Sequence, residues 1–459
     1  MPSQELPPQE LPSQELPPQE LPSQELPPRR PQRRRGPRAL AGAVLSRLLA
    51  RRIRRKGIDL AALALLPEAA RLPLLRSGTD PVPELAAVRA AAPVHRLDVP
   101  FGFGVHLVTG YEQVRTVLAD RISYSNDVRH LFRDAGPGTV ADVGGLGQTD
   151  PPLHTRLRAL VAPEFTRARV ERLRPAVEAI VDQRLDELAA AGSPADLAEH
   201  VSARVPMDAI CGLLGLEDSD HDAFLRLGTQ RFDATGGVAA AFGAVSAQKE
   251  ILTDVVARQR RSPGPGLIGR ILRAEGDAIP DDELAGLVDG IVTGGYETTA
   301  STISLGTAVL LRDPAHVALA RDGSPADLDR LVEELLRYLT VVQVAFPRFA
   351  TRDLELSGCP VRTGDVVAAS LSAADRDPAW AGPAPDEFDP FRSPTPGHLA
   401  FGHGVHRCVG AELARMELRV VLPALFRRFP DLALAVPEAD LPWRGLSFVH
   451  GVEALPVTF

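Results

Sequence analysis

A mainly α fold with a small β region is what this sequence predicts, and three observations carry it. From about Leu72 onward, stretches with 3.6-residue apolar periodicity dominate the chain. Strand-like alternation is confined to Val94–Val108 and Leu354–Leu371. Hydrophobic residues make up 44% of the 459 positions, ample for a large core, and no internal repeat divides the body.

The N-terminal segment stands apart. Residues 2–28 repeat a ten-residue unit, Pro-Ser-Gln-Glu-Leu-Pro-Pro-Gln-Glu-Leu, in which prolines recur too often for a helix and no apolar face forms. It reads as a disordered, polyproline-leaning segment. Residues 29–56 then set Leu40, Val44, Leu48 and other apolar residues at helical spacing among arginines. A basic amphipathic helix against a membrane or an acidic partner fits that pattern, and so does a solvated tail with a marginal helix, the commoner outcome. The expected organisation is a disordered Pro-rich repeat and basic tail over 1–56, a connector over 57–71 and one folded domain over 72–459.

Within the body, Val94–Val108 reads as a strand pair around Pro100-Phe-Gly-Phe-Gly104, and Tyr111–Leu118 as a short helix. Residues 122–148 are Gly-rich and polar, with His130 and Phe132 among few anchors, and a long loop of that kind in a compact domain is often functional. Helical patterns follow over Leu153–Phe165, Ala168–Ala191, Asp196–Leu214, Ser219–Leu227, Gly237–Arg260, Pro265–Arg273, Pro280–Leu311 and Leu328–Tyr338. Leu354–Leu371 alternates around Ser357-Gly358 and Thr363-Gly-Asp365, as hairpins do. Helix returns at Ala411–Arg427, with Pro423 as an expected irregularity.

Composition excludes several classes. Residues 1–28 carry five Glu and no base, and residues 29–56 carry twelve Arg or Lys and no acid. The net charge of −8 therefore hides an acidic body, which offers no nucleic-acid surface. Three cysteines, Cys211, Cys359 and Cys408, make no disulfide framework, so a reducing, cytoplasmic setting is expected. No stretch approaches the roughly 20 apolar residues of a membrane span, and no signal-peptide pattern opens the chain. There is no Gly-x-Gly-x-x-Gly after a strand, no Walker-type loop, no Cys-x-x-Cys pair and no His-Glu-x-x-His.

The most informative run is Phe401-Gly-His-Gly-Val-His-Arg-Cys408-Val-Gly410, one cysteine in a Gly-rich turn directly before a helix. A lone cysteine is most often a buried structural one. Here four fixed positions surround it. A helix N-terminus supplies N–H donors that keep a thiolate anionic. Gly404 permits unusual dihedrals and close approach to a flat macrocycle, Gly410 removes a side chain beside the ring, and Phe401 packs beside the sulfur. The pattern points to a thiolate offered to a haem iron, and it resembles the haem-binding signature of the cytochrome P-450 family.

Three further constellations test that resemblance. Gly294-Gly295-Tyr296-Glu297-Thr298-Thr299 puts two glycines inside a long helical run, each costing about 1 kcal/mol relative to Ala. Hydroxyls there can bond back to carbonyls and widen a turn. A helix crossing that needs small residues explains the glycines equally well. The segment resembles the oxygen-activation stretch of the family's central helix, which implies Gly295 beside the haem and a proton relay through Glu297 and Thr298. Glu334-Leu-Leu-Arg337 is an i, i+3 pair, common and weak alone. The family closes such a pair with a later arginine, matched here by Arg392, to brace the thiolate loop. In Asp150-Pro-Pro-Leu-His154-Thr-Arg-Leu-Arg158, His154 and Arg158 share one helix face. Singly each would be a surface charge. In family order, His154, Arg158, Arg348 and His406 match positions that hold the haem propionates, while His398 could simply cap the turn.

The resemblance covers about residues 72–459. It implies the cytochrome P-450 fold, a triangular prism with haem b between the central helix and the Cys408 loop. It implies a monomeric bacterial monooxygenase, without a membrane anchor, drawing electrons from ferredoxin and ferredoxin reductase. The reaction implied puts one oxygen atom of O2 into a hydrophobic small molecule such as a polyketide or terpenoid. Substrate contacts are expected from the 122–148 loop, Val205–Ala241, Ile291–Gly295, Val341–Phe346 and the turn around Phe448-Val-His450. Two other readings remain: desaturation, ring closure or phenol coupling on the same fold, or a haem-binding sensor without turnover.

Overall fold

The structure, a computed structural model, describes residues 71–97, 104–127, 145–217, 220–221, 224, 251–392 and 397–459. The Pro-rich repeat, the basic tail, most of the connector, the Pro100-Phe-Gly-Phe turn, most of the 122–148 loop and most of the helical patterns over Ser219–Leu227 and Gly237–Arg260 lie outside the described residues.

Among the described residues helices dominate, and ten short strands make three sheets. The largest has the order β1-β2-β8-β5-β3, from Val94–Leu97, Val105–Val108, Val366–Ala369, Arg348–Ala350 and Tyr124–Ser125. Its β2–β8 pair is parallel, with His106 opposite Val367, and its other pairs are antiparallel. A second sheet joins β4 (Ala195–Asp196), β10 (Pro456–Thr458) and β9 (Ala433–Leu434), and β6 (Leu354–Leu356) with β7 (Cys359–Val361) forms the expected hairpin. Ser357 and Gly358 turn that hairpin with φ of 49° and 79°.

The main core is helical and is built around the 30-residue helix Asp281–Leu310. Asp281, Asp282 and Glu283 in its first turn complement the helix dipole. From Glu297 to Leu310 every residue but Thr298 is buried, so this helix is packed nearly all round. Asp313 starts the next helix, Pro314–Asp322, by accepting the Ala315 N–H at 2.8 Å. Ser324 and Asp327 form a reciprocal capping box on the helix Pro325–Leu339. The helix Ala411–Arg428, which begins just behind Cys408, packs on the central helix.

Several expected elements differ in detail. The pattern over Ala168–Ala191 is two helices, Arg167–Glu171 and Arg174–Ala191, because Pro175 restarts the chain as an N-terminal residue. The pattern over Asp196–Leu214 is a π turn, Ala198–Ser202, followed by the helix Arg204–Leu214. Pro423 lies inside Ala411–Arg428 without ending it. The helices Pro83–Ala91 and Pro314–Asp322 were not foreseen, their short apolar faces being masked by adjacent prolines and charges.

Candidate active site

The Cys408 loop is held by backbone. The Cys408 N–H donates to the Phe401 carbonyl at 2.9 Å across a 3₁₀ turn, Gly404–His406. Gly404 has a φ of 73°, and a side chain there would collide with the Leu118 carbonyl. The glycine thus permits a close approach to the helix Tyr111–Ala119. A Cβ on Gly410 would sit 4.0 Å from the Cys408 sulfur. Cys408 keeps accessible surface, yet burial pushes its thiol up, while the Gly410 N–H, Arg407, Arg158 and Arg415 pull it down. The Phe401 ring lies under the Arg415 guanidinium, 4.6 Å from the ring centroid, and Arg415 is itself held by Glu333 and Glu412. His398 caps the turn, Nδ1 accepting from the Ala400 N–H at 3.2 Å.

Behind the loop is a buried ionic brace. Arg337 forks onto Glu334 with bonds of 2.7 and 2.8 Å, and Arg392 approaches the same carboxylate at 3.4 Å. The remaining guanidinium protons go to backbone: Arg337 to the carbonyls of Asp375, Pro385 and Glu387, Arg392 to those of Ala381, Pro383, Ala384 and Glu387. Asp375 then accepts from Thr340 and from the Leu399 N–H, two residues before Phe401. Burial raises the Asp375 carboxyl to about 6.

Four of the expected cationic residues come together. The His154 and His406 rings lie 4.2 Å apart. His406 Nδ1 donates to the Leu146 carbonyl at 3.2 Å, and Arg158 donates to the Arg407 carbonyl at 2.8 Å. Arg348 is buried at 4% exposure, donates to the Phe346 carbonyl and shares a cleft with His406, Tyr124, Asn126 and Asp150. Both nitrogens of buried His154 lack a partner. Burial first, then His154, Arg348 and Arg158, drive His406 down to about 3, and burial lowers Arg348 to about 10. The cluster repels additional positive charge, and Asp150 is the carboxylate that acts on His154 and Arg348. A dianionic group fits this environment.

On the central helix, Gly294 is exposed and nothing lies within 4 Å of where its Cβ would be. Gly295 is tighter, its Cβ position 3.2 Å from Ile210. Thr298 Oγ1 donates back to the Gly294 carbonyl at 2.9 Å. The helix stays α throughout, so the widened turn expected from these hydroxyls is absent, and open space at Gly294 takes its place. Tyr296 turns into the core at 3% exposure. Glu297 is also buried, at 1%, and forms an ion pair with Arg444, which further approaches Ser301 and Glu453. Sequence reasoning missed Arg444, since its C-terminal segment has no periodicity to mark it. The 55% exposed Phe346, against Gly147, adds an apolar surface near Arg348.

These features match known proteins. The profile of the family described as Cytochrome P450 matches residues 328–435, which include the Glu334 brace and the Cys408 loop. Cytochrome P450 165B3 of Amycolatopsis orientalis is 39% identical over 84% of this chain and 98% of its own length. Cytochrome P450 monooxygenase PikC of Streptomyces venezuelae is 39% identical over 82% of this chain and 91% of its own. The solved structure of OxyC, a cytochrome P450 implicated in an oxidative C–C coupling reaction during vancomycin biosynthesis, is 36% identical, with a TM-score of 0.75 over 86% of this chain and 97% of that one. The chain belongs to the cytochrome P450 family. It is a haem-thiolate monooxygenase, and with the family come O2, a redox partner and a small-molecule substrate. Among the described residues no helix is long and apolar enough to cross a membrane.

Proposed function

We propose that Cys408 is the axial thiolate of haem b and that the propionates are held by His154, Arg158, Arg348 and His406. One observation carries this reading: two unpartnered nitrogens on buried His154, inside a cation cluster that includes His406, two residues before Cys408. Two propionates would satisfy that cluster. When bound, haem supplies a thiolate-ligated iron whose electron push favours O–O cleavage.

The chain's own residues do the rest. The Gly410 N–H and the arginines around Cys408 favour its anionic form, and Phe401 with Arg415 keeps water from the sulfur. Gly294 leaves room on the distal face, while Gly295 lets the helix pack closely on Ile210. Thr298 holds a proton at Oγ1, parked on the Gly294 carbonyl, and rotation of χ1 frees it for delivery. Glu297 is the acid behind it, kept in place by Arg444.

The substrate of this reading is a hydrophobic secondary-metabolite intermediate such as a polyketide or terpenoid, oxidised by a monomeric enzyme in the cytoplasm with electrons from ferredoxin and ferredoxin reductase. Exposed Phe346 and the open face at Gly294 support an apolar ligand. Oxidative ring closure or phenol coupling is the second reading, favoured by the likeness to OxyC. Turnover under labelled O2 separates them. Gain of one labelled oxygen supports monooxygenation, and loss of two hydrogens without label supports coupling. If no ligand elicits NADPH consumption through ferredoxin and its reductase, a sensor without turnover replaces both.

A further inference from the structure

A second constellation lies outside the haem site. Cys359 Sγ is 3.5 Å from His106 Nδ1, and His106 Nε2 is 3.0 Å from Asp365 Oδ2. These are a thiol, an imidazole and a carboxylate in series, drawn from β7, from β2 and from the turn entering β8. His106 is fully buried and Asp365 nearly so, while Cys359 is half-buried and stands on the rim of the β6–β7 hairpin.

The carboxylate is fixed before the histidine is considered. Asp365 Oδ1 accepts the Gly104 N–H at 2.6 Å, and Oδ2 accepts the Arg362 N–H at 3.0 Å. Burial alone would raise this carboxyl, but those two N–H groups and His106 hold it below the usual carboxylate range. A Cβ on Gly104, just before β2, would fall 2.6 Å from it and push the carboxylate out of this position. An ionised carboxylate only accepts, so the His106 proton sits on Nε2 and Nδ1 presents a lone pair. That lone pair faces the Cys359 thiol. The order nucleophile, base and orienting carboxylate is the one that activates a thiol. The hairpin partner strand adds the exposed Glu355, and β1, packed against β7, adds the exposed His95 and Arg96.

The other two cysteines differ. Cys211 is fully buried against Met207, and burial pushes its thiol far up. Cys408 belongs to the haem loop.

We propose that Cys359, with His106 as its base and Asp365 as the group that orients His106, is a modification site for thiol–disulfide exchange with low-molecular-weight disulfides. In the step, His106 Nδ1 takes the thiol proton and the Cys359 thiolate attacks one sulfur of the disulfide. A new S–S bond forms to Cys359 and the original S–S bond breaks. The departing thiolate takes the proton back from His106, so no further oxidant is consumed.

Oxidised glutathione is the probe, applied to the haem-loaded protein, with peptide mapping of the adducts. The expected result is one mixed disulfide, on Cys359, with Cys211 and Cys408 unmodified. At pH 7 Cys359 should exchange about tenfold faster than an ordinary thiol. His106→Gln should slow exchange about tenfold at pH 7. Asp365→Asn should do so in part. All variants should keep the Soret band of the reduced carbon monoxide complex, which reports that they are folded. An exchange rate no faster than that of an ordinary thiol in the unaltered protein overturns the proposal with no variant needed. So do an unreactive Cys359 and an unchanged rate in folded His106→Gln.

Discussion

The two faces of the candidate site are built in opposite ways. Behind Cys408, Glu334, Arg337 and Arg392 spend nearly all their hydrogen-bonding capacity on one another and on backbone carbonyls. On the central helix, nothing lies within 4 Å of where a Gly294 Cβ would be, and the Thr298 hydroxyl bonds back to its own helix. The first face is over-determined and holds one geometry. The second is open and, on the proposed function, admits a molecule. A ligand loop has to be rigid because its sulfur must stay in one place, whereas the distal face has to admit a substrate and move a proton.

Changes on the two faces should therefore fail differently. The largest effect belongs to Cys408→Ser, which should abolish the red-shifted Soret band of the reduced carbon monoxide complex. Persistence of that band would remove Cys408 as ligand. Next comes the brace. Glu334→Ala leaves the buried Arg337 and the partly buried Arg392 without their carboxylate and should cost about 3–5 kcal/mol, read as a lower denaturation midpoint with loss of haem. A folded, haem-replete variant of unchanged stability would show that the brace is dispensable. On the open face, Thr298→Ala should leave the spectrum and the stability within about 1 kcal/mol of the parent and divert turnover to peroxide. Unchanged coupling of NADPH to product would strike Thr298 from the mechanism.

A pH effect belongs to Glu417, buried in the helix behind Cys408 and raised to about 8 by desolvation. Its folded value lies above its unfolded one, so the folded state binds the extra proton. Stability should fall as pH rises from about 4.5 to 8, by at most about 1.4 kcal/mol per unit. Glu417→Gln should flatten that slope in urea titrations across the range, and an unaltered slope would assign it to other groups.

What could be read from the sequence was what is local. The Cys408 run, Glu334-x-x-Arg337 and the glycines of the central helix are short spacings on single elements, and their periodicity survives folding. What could not be read depends on partners far away in the chain. Gly404 is needed for the Leu118 carbonyl, Glu297 is answered by Arg444, and the parallel β2–β8 pair has no trace in either strand alone. The straight α geometry at Thr298 was hidden for another reason: back-bonding hydroxyls distort some helices and leave others intact, and packing on both sides decides.

The order of the five-stranded sheet bears on how the protein is made. Arg348 sits on β5, which pairs with β3 from early in the chain and with β8, which itself pairs with β2. A nascent chain carries β1, β2 and β3 out of the ribosome long before β5 and β8 exist to join them. Until then those strands have open edges, and closing so long a loop is slow. The arginine expected to grip a propionate thus reaches its place only after most of the polypeptide has been synthesised. The proposed haem site is therefore completed late, and fragments that stop short of residue 369 leave the β8-facing edge of β2 open and prone to aggregate.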